Sequence, residues 1–103
     1  MVADRFLTVD PQGREVRLTE TCYVEHILVE HPDLTNDREI EEAIRRADLI
    51  VVDAIDALRL VYYRTYRRTP QHWLLKVVVA NDEVVTAYRV TRVKQGERIL
   101  WQR

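Results

Sequence analysis

The pattern of hydrophobic and polar positions divides the chain into a helical part followed by a strand-rich part. Between about residues 20 and 47 hydrophobic residues recur every three or four positions, whereas from Leu58 onward they alternate with polar ones. The first spacing is typical of amphipathic helices, and alternation is typical of half-buried strands. The pattern therefore predicts an α+β domain in which helices come first and a sheet comes last.

The first 31 residues are predicted to form a β-hairpin and then a helix. Segments 5–9 and 14–18 flank a turn that contains proline and glycine, which favours a hairpin. Thr19 is a favourable N-cap, so a helix should run from about residue 20 to His31. Pro32 ends this helix, because the residue before a proline is pushed out of helical geometry.

A second helix and four strands are predicted to follow. Asn36 or Asp37 caps a helix over residues 38–47, and residues 49–52 form a brief strand or a buried connector. The strands are expected at 58–66, 73–79, 84–93 and 98–101, with a turn at Pro70. Short connections favour an antiparallel meander. We therefore expect a single domain, residues 1–103, with the hairpin and two helices packed on a four-stranded antiparallel sheet.

Composition narrows the setting of the protein. Cys22 is the only cysteine, which excludes an internal disulfide and a cysteine-based zinc site and favours a reducing, cytoplasmic compartment. No apolar run approaches the length of a membrane span, so no membrane association is expected. The first nine residues lack the apolar core of a signal peptide.

The net charge of −1 hides an asymmetry between the two halves of the chain. Residues 1–57 carry 14 acidic and 6 basic side chains, whereas residues 58–103 carry 3 acidic and 10 basic ones. A basic second half is typical of a surface that faces phosphate groups. The alternative is that the two halves pack against each other with complementary charge.

Two histidines of the first helix are candidates for acid–base chemistry. His26 lies on the polar side of the predicted helix, and His31 lies on the core side at its end. An imidazole titrates near neutral pH and suits proton transfer. The alternatives are a surface histidine at position 26 and a capping or packing histidine at position 31.

Several polar side chains on the predicted strands complete the candidate site. Thr86 and Tyr88 are two residues apart and so share one face of a strand. Lys76 interrupts an apolar run, as a charge directed into a cleft would. Tyr63 and Arg64 belong to a strand where arginines and aromatic residues alternate, a combination that binds RNA phosphates and unpaired bases. The alternative is ordinary cross-strand packing.

Other classes of site are not indicated. The glycines, Gly13 and Gly96, both lie in predicted turns and form no phosphate-binding loop, and the chain has no serine for a nucleophile elbow. The histidines at positions 26, 31 and 72 are too scattered for a clear metal motif, and His26 with His31 and Asp33 is the one combination left open. We therefore expect neither a metal nor a cofactor.

The order of five short segments resembles the phage-type branch of the barnase–EndoU–colicin–RelE nuclease superfamily, the PBECR domains. The similarity extends from about Val16 to Trp101 and rests on His26-Ile27, His31-Pro32-Asp33, Tyr63-Arg64, Leu75-Lys76-Val77-Val78-Val79 and Val85-Thr86-Ala87-Tyr88. The resemblance implies a barnase/RelE-like fold and metal-independent cleavage of RNA, in toxin–antitoxin pairs or phage-borne effectors. The implied partners are RNA, free or on the ribosome, and an antitoxin protein.

By position, the resemblance assigns catalytic roles to His26, Arg64, Thr86 and Tyr88. We expect His31, Lys76 and Tyr63 to contact the substrate, with Lys76 added on chemical grounds. In this hypothesis the RNA 2′-OH attacks the adjacent phosphorus and yields a 2′,3′-cyclic phosphate. The alternative is a non-catalytic RNA- or protein-binding module on the same fold.

Overall fold

The computed structural model of the protein describes residues 3–68 and 71–103, apart from the side chains at positions 67, 68, 71 and 72. Within this part, the strands are β1 (Asp4–Val9), β2 (Glu15–Thr19), β3 (Leu49–Val52), β4 (Arg59–Arg68), β5 (Gln71–Ala80), β6 (Glu83–Val90) and β7 (Arg98–Gln102). The turn expected at Pro70 and the side chain of His72 lie outside the described residues.

Two helical segments lie between the strands of this part of the chain. The first contains α1 (Glu20–Cys22), a π-helical turn (Tyr23–Ile27) and α2 (Leu28–Glu30), and the second is α3 (Asp37–Arg45). Both begin where the sequence predicts, because a side chain caps each. Thr19 Oγ1 accepts a hydrogen bond from the Cys22 N–H at 3.1 Å, and Asn36 Oδ1 accepts one from the Arg38 N–H at 3.1 Å. None of these helices is long and apolar enough to cross a membrane.

The expected four-stranded antiparallel sheet, and with it the barnase/RelE-like arrangement, is wrong. All seven strands form one mixed sheet in the order β1-β2-β6-β5-β4-β3-β7. The hairpin of β1 and β2 is part of the sheet, since β2 pairs with β6 in parallel at Arg17 and Glu83. The strand at 98–102 does not extend the meander of β4, β5 and β6 but pairs with β3 at the opposite side.

The path of the β6–β7 loop explains this difference. Four strand spacings separate β6 from β7 in the sheet order, which is about 19 Å at the usual distance between strands. A loop over residues 91–97 spans up to about 23 Å when extended. The loop is therefore long enough to cross the sheet, and its residues lie over one of the sheet faces.

The two faces of the sheet have different partners. The face covered by the helical segments, here called the inner face, carries the larger hydrophobic core. The opposite face, here called the outer face, carries a smaller apolar cluster of Val51, Val61, Tyr63 and Val78. The fully buried side chains of the inner core include Leu18, Ile27, Leu34, Ile40, Ile44, Ile50, Tyr62 and Leu75.

The β1–β2 turn closes over the inner face through a buried hydrogen bond. The Tyr62 hydroxyl donates to Asp10 Oδ2 at 2.6 Å, and the same carboxylate accepts bonds from the Gln12 and Arg14 N–H groups and from the Arg14 guanidinium. Burial raises the pKa of Asp10, but these hydrogen bonds outweigh it and hold the pKa below its usual value. The turn is thereby tied to the middle of the sheet.

Candidate functional site

A buried lysine lies between two tyrosines on the outer face. Lys76 on β5 is directly opposite Tyr63 on β4 and Tyr88 on β6. Its Nζ atom lies 5.6 Å from the centroid of each ring, within the range of a cation–π contact. Lys76 is only 6% exposed, so the two rings and the loop above replace most of the water around its charge.

The loop over residues 91–97 brings a carboxylate to this lysine. Glu97, whose side chain is 0% exposed, has Oε2 3.8 Å from Lys76 Nζ. Its other oxygen, Oε1, accepts a hydrogen bond of 2.5 Å from the Tyr63 hydroxyl. Oε2 has no hydrogen-bond partner among the described residues. Burial of a carboxylate oxygen without a hydrogen-bond partner costs free energy. The burial of Glu97 therefore depends on the charge of Lys76, and the burial of Lys76 depends on the charge of Glu97.

Tyr63 is held in the donor form by its surroundings. Burial raises the pKa of its hydroxyl, and the hydrogen bond to Glu97 raises it further. The Lys94 N–H donates to the same hydroxyl oxygen at 3.4 Å. Tyr63 therefore fixes the loop over the lysine and is not free to donate its proton elsewhere.

An open cleft of about 440 Å³ gives access to this group. The polar side chains that line it are those of Lys76, Thr86, Tyr88, Lys94 and Arg59, together with the carboxylates of Asp53 and Asp56. Thr86 and Tyr88 face the cleft because both lie on the outer face, opposite Val78 and Lys76 respectively. The cleft thus combines a hydroxyl, a phenol and cations, which are groups that bind phosphate oxygens.

The two aspartates of the cleft belong to a local turn. The Asp56 and Ile55 N–H groups donate to Asp53 Oδ2 at 2.9 and 3.3 Å. The bond from Asp56 is the main cause that holds the pKa of Asp53 below its usual value. Asp56 in turn pairs with Arg59 at 3.4 Å in an exposed ion pair, which contributes little to stability.

His31 is the histidine that contacts this cluster. It follows α2, and its ring stacks on Tyr88 with the centroids 5.2 Å apart and the planes inclined by 22°. The helical segment lies beside β6, because Cys22 Sγ donates to the Val84 carbonyl at 3.1 Å near its start. His31 is half-buried.

His26 lies in the π-helical turn and is exposed. Hydrogen bonds in a π-helix join residues five apart, as from the Leu28 N–H to the Tyr23 carbonyl. Residues four apart therefore share a side, and His26 lies on the side of Cys22, which contacts β6. Its ring makes no hydrogen bond, ion pair or ring contact with any other described residue.

Arg64 lies on the inner face, away from the other predicted site residues. Its Nη1 atom is 3.4 Å from Glu42 Oε2, and its guanidinium stacks 5.3 Å above the Tyr66 ring. Successive residues of a strand point to opposite faces, so Tyr63 and Arg64 cannot both line one site. The structure thus brings together Tyr63, Lys76, Thr86, Tyr88 and His31, and does not bring Arg64 to them.

Glu97 and Lys94 are the members of the cluster that sequence reasoning missed. They lie in a segment that the sequence predicts only as a turn, and a turn has no periodicity to show which way its side chains point. The unusual position of Lys76 within an apolar run is the available signal. A buried lysine requires a counter-charge, but the sequence does not show which carboxylate supplies it.

Comparison of the chain with protein-family models, with curated proteins and with solved structures gave no match. Among the described residues, no group of three or more histidine, cysteine or acidic side chains is placed to hold a metal ion. The interpretation of the outer-face cleft therefore rests on its own geometry.

Proposed function

We propose that this protein is a metal-independent endoribonuclease whose active site is the outer-face cleft. The 2′-OH of the substrate RNA attacks the adjacent phosphorus, the bond to the 5′-oxygen breaks, and the products carry a 2′,3′-cyclic phosphate and a 5′-OH. The observation that carries this proposal is the convergence of Lys76, Thr86 and Tyr88 on one cleft, with the His31 ring against Tyr88.

Each group has a role that fits its position. Lys76, with Lys94 beside it, stabilises the charge that develops on the phosphoryl oxygens. Thr86 and Tyr88 donate hydrogen bonds to the phosphate. His31 transfers protons to or from the reacting oxygens, because it is the imidazole in contact with the cluster. The family resemblance predicts this role for His26, which remains the alternative.

The setting that we propose follows from the same reasoning. The substrate is RNA, free or on the ribosome, and an antitoxin protein is the partner that would control such an activity. The half-buried thiol of Cys22 donates to a backbone carbonyl and has no second cysteine to pair with. We therefore infer a reducing, cytoplasmic compartment.

One observation favours a second candidate function. Glu97 already balances the charge of Lys76 at 3.8 Å, so a phosphate that enters the cleft must compete with a buried carboxylate. This arrangement suits a non-catalytic module that binds RNA or a protein through the same face. Such a module would bind RNA in a strongly salt-dependent way and would leave the strand intact.

The deciding experiment is incubation of the purified protein with total RNA in EDTA, followed by end-group analysis of the fragments. We expect cleavage that survives chelation and leaves cyclic phosphate ends. His31→Ala should lower the rate by about 10²–10⁴-fold, the usual contribution of one acid–base group, and Tyr88→Phe should lower it less.

His26→Ala is the matched control, because it removes the same ring from the same helical segment. Loss of activity in His26→Ala together with full activity in His31→Ala would assign the proton transfer to His26 instead of His31. If neither free RNA nor translating ribosomes are cleaved while RNA is still bound, the nuclease proposal fails and the binding module replaces it.

A further inference from the structure

A second cleft, of about 640 Å³, lies beside the C-terminal end of α3. Its lining includes Arg45, Arg46, Arg64, Arg103, Trp101 and Pro11. Arg45 and Arg46 lie at the end of α3, and Arg64 lies on β4. Trp101 lies on β7, Arg103 follows it, and Pro11 lies in the β1–β2 turn. The cleft is therefore assembled from segments that are distant in sequence and are held together by the fold.

Positive charge is in excess in this cleft. Arg64 pairs with Glu42, and Arg103 pairs with Asp48, each at 3.4 Å. Both pairs are partly exposed, and such pairs are weak enough to exchange partners. Arg45 and Arg46 are exposed and form no ion pair with any described residue.

The cleft also has an aromatic wall. Trp101 is paired with Ile50 across β3 and β7 and packs against the inner core. It is half-buried and lines the cleft together with Pro11. An indole surface beside several guanidinium groups is suited to a ligand that has a flat ring and an anionic group, because the ring stacks on the indole and guanidinium forks grip phosphate oxygens.

We propose that this cleft binds a nucleotide, with the base against Trp101 and the phosphate among the arginines. The nucleotide is either a free one or the terminal residue of a single-stranded RNA, since both present the same chemistry. This site is distinct from the outer-face cleft, because Arg64 and Trp101 belong to the inner face of the sheet. The proposal stands whether or not the outer face cleaves RNA.

The test is a fluorescence titration in a Trp73→Phe background, where Trp101 is the remaining tryptophan. The probes are AMP, adenosine and an eight-nucleotide single-stranded RNA that carries a 5′-phosphate. We expect AMP to quench Trp101 and adenosine to quench it far less, because adenosine lacks the phosphate. Tighter binding of the RNA than of AMP would identify an RNA end as the source, and equal or weaker binding would identify the free nucleotide.

The variant Arg45→Ala/Arg46→Ala should weaken AMP binding by at least about tenfold, as expected for the loss of charge-assisted hydrogen bonds. Both side chains are exposed, so the fold should be retained. The matched control is Arg17→Ala/Arg38→Ala, which also removes two exposed arginines but none that line the cleft. The proposal fails if AMP and the RNA leave Trp101 unquenched, or if both double variants weaken binding equally.

Discussion

Replacing Lys76 by methionine tests how strongly the outer-face ion pair stabilises the fold. Methionine keeps the length and the apolar stem of the side chain but removes the cation. The Glu97 side chain, which is fully buried and has Oε2 3.8 Å from Lys76 Nζ, is left with the hydrogen bond from Tyr63 as its described polar contact. Removal of one partner from a buried pair costs about 3–5 kcal/mol, because the other charge is left uncompensated.

This cost is large for a domain of this size. A stability of about 5–15 kcal/mol is usual for a folded domain, so Lys76→Met should lose a major share of it. Each kcal/mol lowers the melting temperature of a domain of about 100 residues by roughly 4–8 °C. We therefore expect the melting temperature of Lys76→Met to fall by at least about 12 °C.

The double variant Lys76→Met/Glu97→Gln separates the charge effect from the packing effect. The double variant contains neither charge, and the amide oxygen of the introduced glutamine can still accept the hydrogen bond from Tyr63. It should therefore be more stable than Lys76→Met by at least about 2 kcal/mol. The free energies come from urea unfolding, with Lys94→Met as the exposed control. The dependence of Glu97 on Lys76 is refuted if Lys76→Met lies within about 1 kcal/mol of the wild type, or if the effects of Lys76→Met and of Glu97→Gln alone are simply additive.

Three further variants test the fold. The pKa of folded Asp10 lies below its usual value, so its contribution to stability is complete above the usual pKa and is lost as the pH falls through the folded pKa. Asp10→Asn should abolish this loss of stability at acid pH in urea unfolding. An unchanged dependence of stability on pH would contradict the role of the Asp10 carboxylate. Asn36→Ala should cost about 0.5–2 kcal/mol in urea unfolding through loss of the helix cap, and Thr35→Ala should cost nothing measurable. Ile44→Ala should lower the free energy of unfolding, measured by calorimetry, by about 2–5 kcal/mol. Ile55→Ala, at an exposed position, should leave it almost unchanged. Equal effects of the two variants would contradict the placement of Ile44 in the core.

Local signals in the sequence predicted the elements that local chemistry determines. The hairpin and the start of both helical segments follow from a proline–glycine turn and from the side-chain caps at Thr19 and Asn36. The π-helical turn has no such signal. It makes the hydrogen bond from the Leu28 N–H join residues five apart rather than four.

The arrangement of the strands depends on contacts that no local pattern encodes. The sequence predicts a strand at 98–101, but the position of this strand beside β3 depends on the path of the loop before it. In β6, a register shift between Val78 and Val79 on the partner strand puts Val84 on the inner face and Thr86 on the outer face. Strict alternation would put these two residues on the same face.

The position of β7 at the end of the sheet has a consequence for the order in which the molecule is completed. β3 has β4 on one side and β7 on the other, so one row of its backbone hydrogen-bonding groups remains open until residues 98–102 have left the ribosome. An open strand edge of this kind can pair with another chain. The same late segment follows directly on Glu97, so a nascent chain lacks both the cover for this edge and the counter-charge of Lys76. The cover of the β3 edge and the outer-face cluster are therefore completed together, once residues 97–102 have been made.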